Sequence, residues 1–306
     1  MPITGFTGSS QLDDSVAAEQ ISRRVAATAY SKPVADNFLG ILGGYDFVSG
    51  SLTKSVTKIT KFSAGALTTG DDGVATELAD TQRNATVSEH GLGVFYGDIL
   101  DVANATTAQR QRIQMMMLKA YAERVDNQIL ALATSLTNQV GSVANPGSLD
   151  IILAAITLME DADVDGPFYG IWHARGINHV RQEIGGSSAV NNPIFMRQDV
   201  LPRIGPAMAN NYAFTVFEVD FFKSSQCPTS GGGKVGYLMP MSAEWNPLVR
   251  LIGVPAEGRF AGTPWDMRYE EQRDASGRLD EMWVTGLWTT MLIDLGVGVG
   301  LAAVNS

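Results

Sequence analysis

The chain has 306 residues, with 22 Lys+Arg against 32 Asp+Glu, a formal net charge of −10 and a pI near 4.8. That balance, with no long basic run, excludes wrapping around nucleic acid, which needs clustered cations to displace counterions. The single cysteine, Cys227, excludes a disulfide framework and a cysteine zinc cluster. Charged residues make up only 18%, below the roughly 25% of ordinary soluble domains, which predicts a surface covered in large part by something other than water.

The N-terminus lacks the charged and apolar regions of a signal peptide. The one membrane-like stretch, Trp283 to Val304, carries Asp294 and repeated glycines and reads as buried strands rather than a spanning helix. The chain reads as soluble and intracellular, with no membrane partner.

Residues 1–50 read as an arm with two short helices. Asp13 and Asp14 can cap the first, which carries Val16, Ile21 and Val25 and must stop before Pro33. Val34, Phe38, Ile41 and Leu42 form a second stripe ending at Gly43-Gly44. Neither helix is long enough to stand alone in water. Val16, Ile21, Val25, Phe38 and Leu42 are therefore expected to pack on the body or on a neighbour.

Residues 51–99 read as a long two-stranded excursion. β-Branched residues dominate Leu52 to Phe62, and return strands are expected at Asn84–Ser88 and Gly93–Ile99. The Gly-rich middle, 65–80, contains the turn signal Gly70-Asp71-Asp72-Gly73. Lys54, Lys58 and Lys61 lie on the ascending side; Asp71, Asp72, Glu77 and Asp80 lie near the tip. An isolated hairpin of this kind is marginal in water. Its segregated charges suit a contact with another subunit.

Residues 100–147 hold the strongest helical pattern. Ile113, Met117, Tyr121, Val125, Ile129, Leu132 and Leu136 recur at three- and four-residue steps. A helix from Thr107 to Leu136 would be about 45 Å long at 1.5 Å per residue. Gly141 to Gly147, with Pro146, reads as a domain junction.

Residues 148–265 alternate helix and strand. Ser148 caps a helix, Asp165-Gly166-Pro167 turns into a strand at Phe168–His173, and a helix with Ile177, Val180 and Ile184 follows. Strands are expected at Tyr212–Val219 and Val235–Met239. Residues 266–306 return as strands about the turn Asp274-Ala275-Ser276-Gly277, with alternation clearest over Trp283–Trp288.

Catalytic patterns are weak. His173 and His179 stand six apart, His90 is remote, and no cysteine is near either, so no metal is expected. Ser230-Gly231-Gly232-Gly233-Lys234 lacks the Ser/Thr that must follow the lysine of a phosphate loop. Asp161, Asp163 and Asp165 alternate as in a calcium loop, but Gly166 and Pro167 break the spacing. No cofactor is expected and no enzyme. An unrecognised α/β enzyme site would have to draw on carboxylates such as Glu270, Glu271 and Asp274.

The order of the elements resembles the major capsid proteins of tailed bacteriophages and the related encapsulins. Local matches are Tyr121–Leu130 at the end of the long helix, Ala154–Met159, Phe168–His173 with Ala174–Ile184 after it, and Tyr269–Asp274 leading into the terminal strand. The approach to the middle strand, Leu201–Pro206, fits the family pattern only loosely. The resemblance implies an α+β, Hong Kong 97-like capsid fold. It would comprise an N-terminal arm (1–50), an extended β-hairpin loop (51–99), a peripheral domain with a long spine helix (100–147), an inserted axial α/β domain (148–265) and return strands of the peripheral domain (266–306).

It also implies a major capsid protein that assembles as hexamers and pentamers into an icosahedral virion shell. The shell would form in the host cytoplasm and enclose double-stranded DNA without sequence-specific contacts. A separate scaffolding protein, a portal and decoration proteins are the further partners it suggests, with the arm retained in the finished shell. An encapsulin-like nanocompartment shell is the alternative on the same fold.

Overall fold

The computed structural model describes residues 33–59, 80–97, 106–186, 211–242, 246–256, 262, 264–274 and 279–304. Val34, Phe38 and Leu42 fall at helical spacing and all three are buried, so the short helix α1 (Ala35–Ile41) exists by docking. Gly43, at φ +68°, ends it. Ile41, expected in the same stripe, is instead exposed. The first expected helix, with Val16, Ile21 and Val25, lies outside the described residues.

Strand β1 (Tyr45–Ser49) follows, then β2 (Thr53–Ile59), β3 (Asp80–Thr86) and β4 (Ser88–Gly97). β2 and β3 pair with each other in a separate two-stranded sheet. The strands on either side of the hairpin pair with distant parts of the chain. β1 pairs in parallel with β11 (Leu248–Val254), and β4 pairs with β13 (Leu279–Leu292) from Ser88↔Trp288 to Gly97↔Leu279. The physical break between hairpin and body is Val87, whose side chain is buried between two otherwise extended strands.

The long helix α2 runs from Thr106 to Ala131, 26 residues, and gives way to a 3₁₀ turn at Leu132–Ser135. It is thus shorter than the expected 107–136. The Gln139 amide donates to the carbonyls of Ala133 and Leu136, satisfying acceptors that a longer helix would have used itself. Met117, Tyr121, Val125 and Ile129 are buried along its inner face, whereas the adjacent Met116 is exposed.

The expected alternating region contains β5 (Asn138–Gly141), α3 (Leu149–Asp161), β6 (Phe168–His173), α4 (Ala174–Gly186), β7 (Tyr212–Val216), β8 (Val219–Ser224), β9 (Thr229–Ser230) and β10 (Gly233–Pro240). Ser148 Oγ accepts the Ile151 N–H at the start of α3, as its position predicted. The single strand expected at 212–219 is two strands, because Phe217 and Glu218 both take positive φ and turn the chain back.

β12 (Arg268–Asp274) and β13 form the expected hairpin, and β14 (Val299–Val304) ends the chain. Two sheets result. One has the order β1-β11-β13-β12 with β4 also on β13; the other has β5-β14-β10-β6-β8-β7 with β9 on β10. Sheet membership is not sequential along the chain. β11 lies in the first sheet rather than with 148–265, and β14 lies in the second rather than with the return strands. The chain therefore passes between the two sheets three times, from β4 to β5, from β10 to β11 and from β13 to β14.

The seven-stranded sheet is buried on both faces, which is why β6, β10 and β14 read as near-continuous apolar runs. Tyr169, Ile171, Tyr237 and Met239 face α1 and α2, in a core that also takes in Met282, Val284 and Trp288 of the first sheet. Phe168, Trp172, Phe221, Leu238 and Leu301 face α3 and α4. Among the described residues no helix is long and apolar enough to cross a membrane.

Gly286 on β13 shows how closely α2 sits on the first sheet. A Cβ there would lie 1.7 Å from the Tyr121 hydroxyl oxygen and 2.1 Å from the Asp266 carbonyl oxygen. Gly286→Ala is expected to destabilise the unassembled subunit by about 3 kcal/mol, the upper range for overpacking, as measured by urea unfolding. An unchanged midpoint would contradict this packing.

Candidate functional site

The hairpin β2–β3 is the element whose geometry most needs a partner. Thr53, Ser55 and Thr57 stand opposite Thr86, Asn84 and Gln82, and all six are exposed. On the other face the described residues Lys54, Val56, Arg83 and Ala85 are half-buried, and Val56 and Ala85 pack against Val48, Val87, Leu251 and Met291. The Val87 N–H donates to Leu52 O at 2.7 Å, and the Thr53 and Thr86 hydroxyls lie 2.9 Å apart.

Among the sequence-predicted contact residues, Lys54 forms an ion pair with Asp46 of β1. It therefore ties the hairpin to its own body. Register places Lys58 opposite Thr81 and Asp80 opposite Ile59. Lys61, Asp71, Asp72 and Glu77 lie outside the described residues. Of the predicted arm residues, Phe38 stacks on Tyr169 at 4.3 Å and meets Phe222 edge-on, and Leu42 belongs to the same core.

Beneath the arm lies a buried polar cluster that sequence reasoning missed. Arg250 of β11 is 2% exposed. Its guanidinium pairs with Asp36 of α1 at 3.0 Å and with Asp266 ahead of β12, and it stands 5.0 Å from the Trp288 ring centroid. Trp288 Nε1–H donates to the Tyr121 hydroxyl at 2.6 Å, and that hydroxyl donates to Asp266 O at 2.5 Å. The Tyr45 hydroxyl on β1 bonds Asp36 at 3.1 Å. Six segments of the fold thus meet at one cation. Burial alone would lower the Arg250 pKa, but the carboxylates of Asp36 and Asp266 outweigh it and raise it.

Asp126, on the inner face of α2, is fully buried. Its Oδ1 accepts the Ala35 N–H at 2.6 Å and the Asp36 N–H at 3.4 Å, and Oδ2 faces the Ser224 hydroxyl at 3.3 Å. It caps α1 across 91 residues of sequence, where Val34 at the N-cap offers no side-chain oxygen. Burial pushes its carboxyl up to about 7, opposed by the backbone N–H groups of Ala35, Asp36 and Val34 and reinforced by the charge of Asp36.

The remaining titratable groups are dispersed. The His90 ring lies tilted against Trp288 with centroids 4.3 Å apart, His173 accepts the Arg175 N–H, and His179 faces the Gly147 N–H. Lys234, of the glycine-rich turn, donates to Cys227 O at 2.9 Å. Glu270 and Glu271 are exposed on β12, an outer strand of the first sheet. Among the described residues no group of three His, Cys, Asp or Glu gathers as a metal site. A groove of about 430 Å³ between β4 and α2 is lined by Glu89, His90, Leu92, Tyr121 and Arg124.

No protein-family model matches the chain, and no curated protein does. Solved structures do. A structure from Mycobacterium phage Che8 is 14% identical, with 88% of this chain and 91% of that one covered at a TM-score of 0.59. The head structure of Helicobacter pylori bacteriophage KHP40 is 9% identical, covering 90% and 91% at 0.64. The holo-SrpI encapsulin complex from Synechococcus elongatus PCC 7942 is 13% identical, covering 87% and 86% at 0.61. The likeness spans almost the full length of each chain and carries the fold: it is of the Hong Kong 97 type.

Asp126 has a folded pKa of about 7 against an ordinary 3.8. A raised pKa means the folded state holds the proton more tightly, so its contribution is full below pH 3.8 and is lost as pH rises toward 7. Asp126→Asn keeps an acceptor for Ala35 and removes the titration. The unassembled wild-type subunit should lose more stability between about pH 4 and 8 than the variant does, measured by urea unfolding across that window. Parallel pH profiles for the two would contradict the assignment.

Proposed function

We propose that this chain is a shell-forming structural protein, the major capsid protein of a tailed bacteriophage, which assembles as hexamers and pentamers into an icosahedral shell. The observation that carries this reading is the hairpin β2–β3. Its described residues form a sheet of their own with a polar exposed face, and Val56 and Ala85 pack on the body. Two strands bury too little to be stable alone, so such an element gains its order by lying on another copy.

The fold likeness supports the same conclusion, since it spans a phage head structure over about nine-tenths of the chain. The net charge of −10 suits a shell around double-stranded DNA, because a surface with few cation clusters leaves packaged phosphates mobile. On this reading the protein is not an enzyme, works without a cofactor, assembles in the host cytoplasm and resides in the virion. A separate scaffolding protein and a portal are its assembly partners, and decoration proteins are candidates for the outer surface. The encapsulin-like alternative draws on the equal likeness to the Synechococcus complex. Particle contents separate the two, nuclease-protected DNA marking a virion and enclosed enzymes marking a nanocompartment.

Deleting residues 65–80 is expected to leave a folded, soluble subunit that no longer forms closed shells, as seen by circular dichroism and negative-stain electron microscopy. Normal shells from the deletion would overturn the role of the hairpin.

A further inference from the structure

The inserted α/β unit has two chemically opposite ends. β6 and β8 run parallel with Phe168 beside Val219 and His173 beside Ser224, so the turn at Phe217-Glu218 sits at the same end as the segment leading into β6. That segment and the end of α3 contribute Glu160, Asp161, Asp163 and Asp165, and with Glu218 all five carboxylates are exposed. No Lys or Arg lies within 160–167 or 216–219.

At the far end, about 20 Å away along a six-residue strand, Arg175 opens α4 and Lys223 closes β8, both exposed. Lys234 and His173 stand at this end too, the lysine held by Cys227 O. The acidic residues nearby are Asp150 and Glu183, and the Glu183 carboxylate accepts the Leu149 N–H at 2.9 Å. Among the described residues one end is anionic; the other is cationic on balance.

The acidic end also carries an exposed aromatic ring at a backbone cost. Phe217 is 45% exposed. Phe217 has φ 48° and Glu218 has φ 64°, in a two-residue turn closed by the pair Val216↔Val219. Such a turn takes Asn-Gly without strain, whereas Phe and Glu adopt this left-handed region against their Cβ sterics. Strain held at a solvent-exposed tip points to a contact made outside the subunit.

We infer that these two ends meet head to tail between adjacent copies of this chain, with the Phe217 ring set against the neighbour's Arg175 guanidinium and Glu218 and Asp165 facing its Arg175 and Lys223. A contact between two different patches of identical subunits closes into a ring when its rotation permits. A cation over an aromatic face joins the apolar and ionic parts of the junction. The inference deepens the proposed shell-forming role and rests on it.

Charge exchange tests it. Asp165→Lys with Glu218→Lys, and separately Arg175→Glu with Lys223→Glu, should each lower the yield of rings and shells by about tenfold, read by analytical ultracentrifugation and electron microscopy. The four substitutions together should restore that yield to within about twofold of wild type. Phe217→Asn should also assemble poorly, yet its unassembled subunit should melt at or above the wild-type temperature because the turn is relieved. Thermal melts of every variant separate assembly defects from misfolding.

Wild-type yields from either singly exchanged protein, or no recovery in the combined one, overturn the contact. Wild-type rings that never close into shells, but respond to exchange as stated, contradict the shell reading and support the contact. A wild-type chain that stays monomeric overturns both.

Discussion

A guanidinium that has lost nearly all its water must be neutralised where it stands, and the fold is arranged around that requirement at Arg250. Its two carboxylate partners come from opposite ends of the chain's order, Asp36 on the arm helix and Asp266 ahead of β12. Its ring contacts come from Trp288 and Tyr45. Removing either carboxylate would leave a buried charge short of compensation, which costs far more than an exposed pair is worth. The cluster therefore fixes where the arm crosses the body, and Asp126 fixes how the arm helix begins.

That placement orders the rest. With α1 held on α2, Phe38 can stack on Tyr169 and close the face of the seven-stranded sheet that α3 and α4 leave open. β1 then emerges along β11, and Lys54 on Asp46 sets the base of the hairpin beside it. Contacts at its root set the start of the hairpin, because Thr53, Ser55, Thr57, Gln82, Asn84 and Thr86 on its exposed face offer polar side chains.

Much of this was legible in the sequence. The three- and four-residue spacing located α2, the Ser148 cap located α3, and the alternation across Trp283–Trp288 located β13. Three kinds of feature were not. β11 was hidden because Arg250 interrupts its apolar run, although one charge inside Leu248–Ile252 is itself a signal that a buried partner is waiting. Asp126 was hidden in the same way, on a row with Leu130 and Ala133 that is buried throughout. The split at Phe217-Glu218 carried no glycine or asparagine to announce it, since the turn there runs against local preference. The sheet membership of β1, β4, β11 and β14 was hidden for a topological reason: they pair with strands far along the chain, and pairing over such separations leaves no local trace.

The account stands on the claim that this chain completes itself only among copies of itself. Electron cryomicroscopy of the purified full-length protein addresses that claim most directly. Closed shells in which the hairpin of each subunit lies across an adjacent one are the result it predicts. A monodisperse monomer, or shells in which every hairpin folds back on its own subunit, would contradict it.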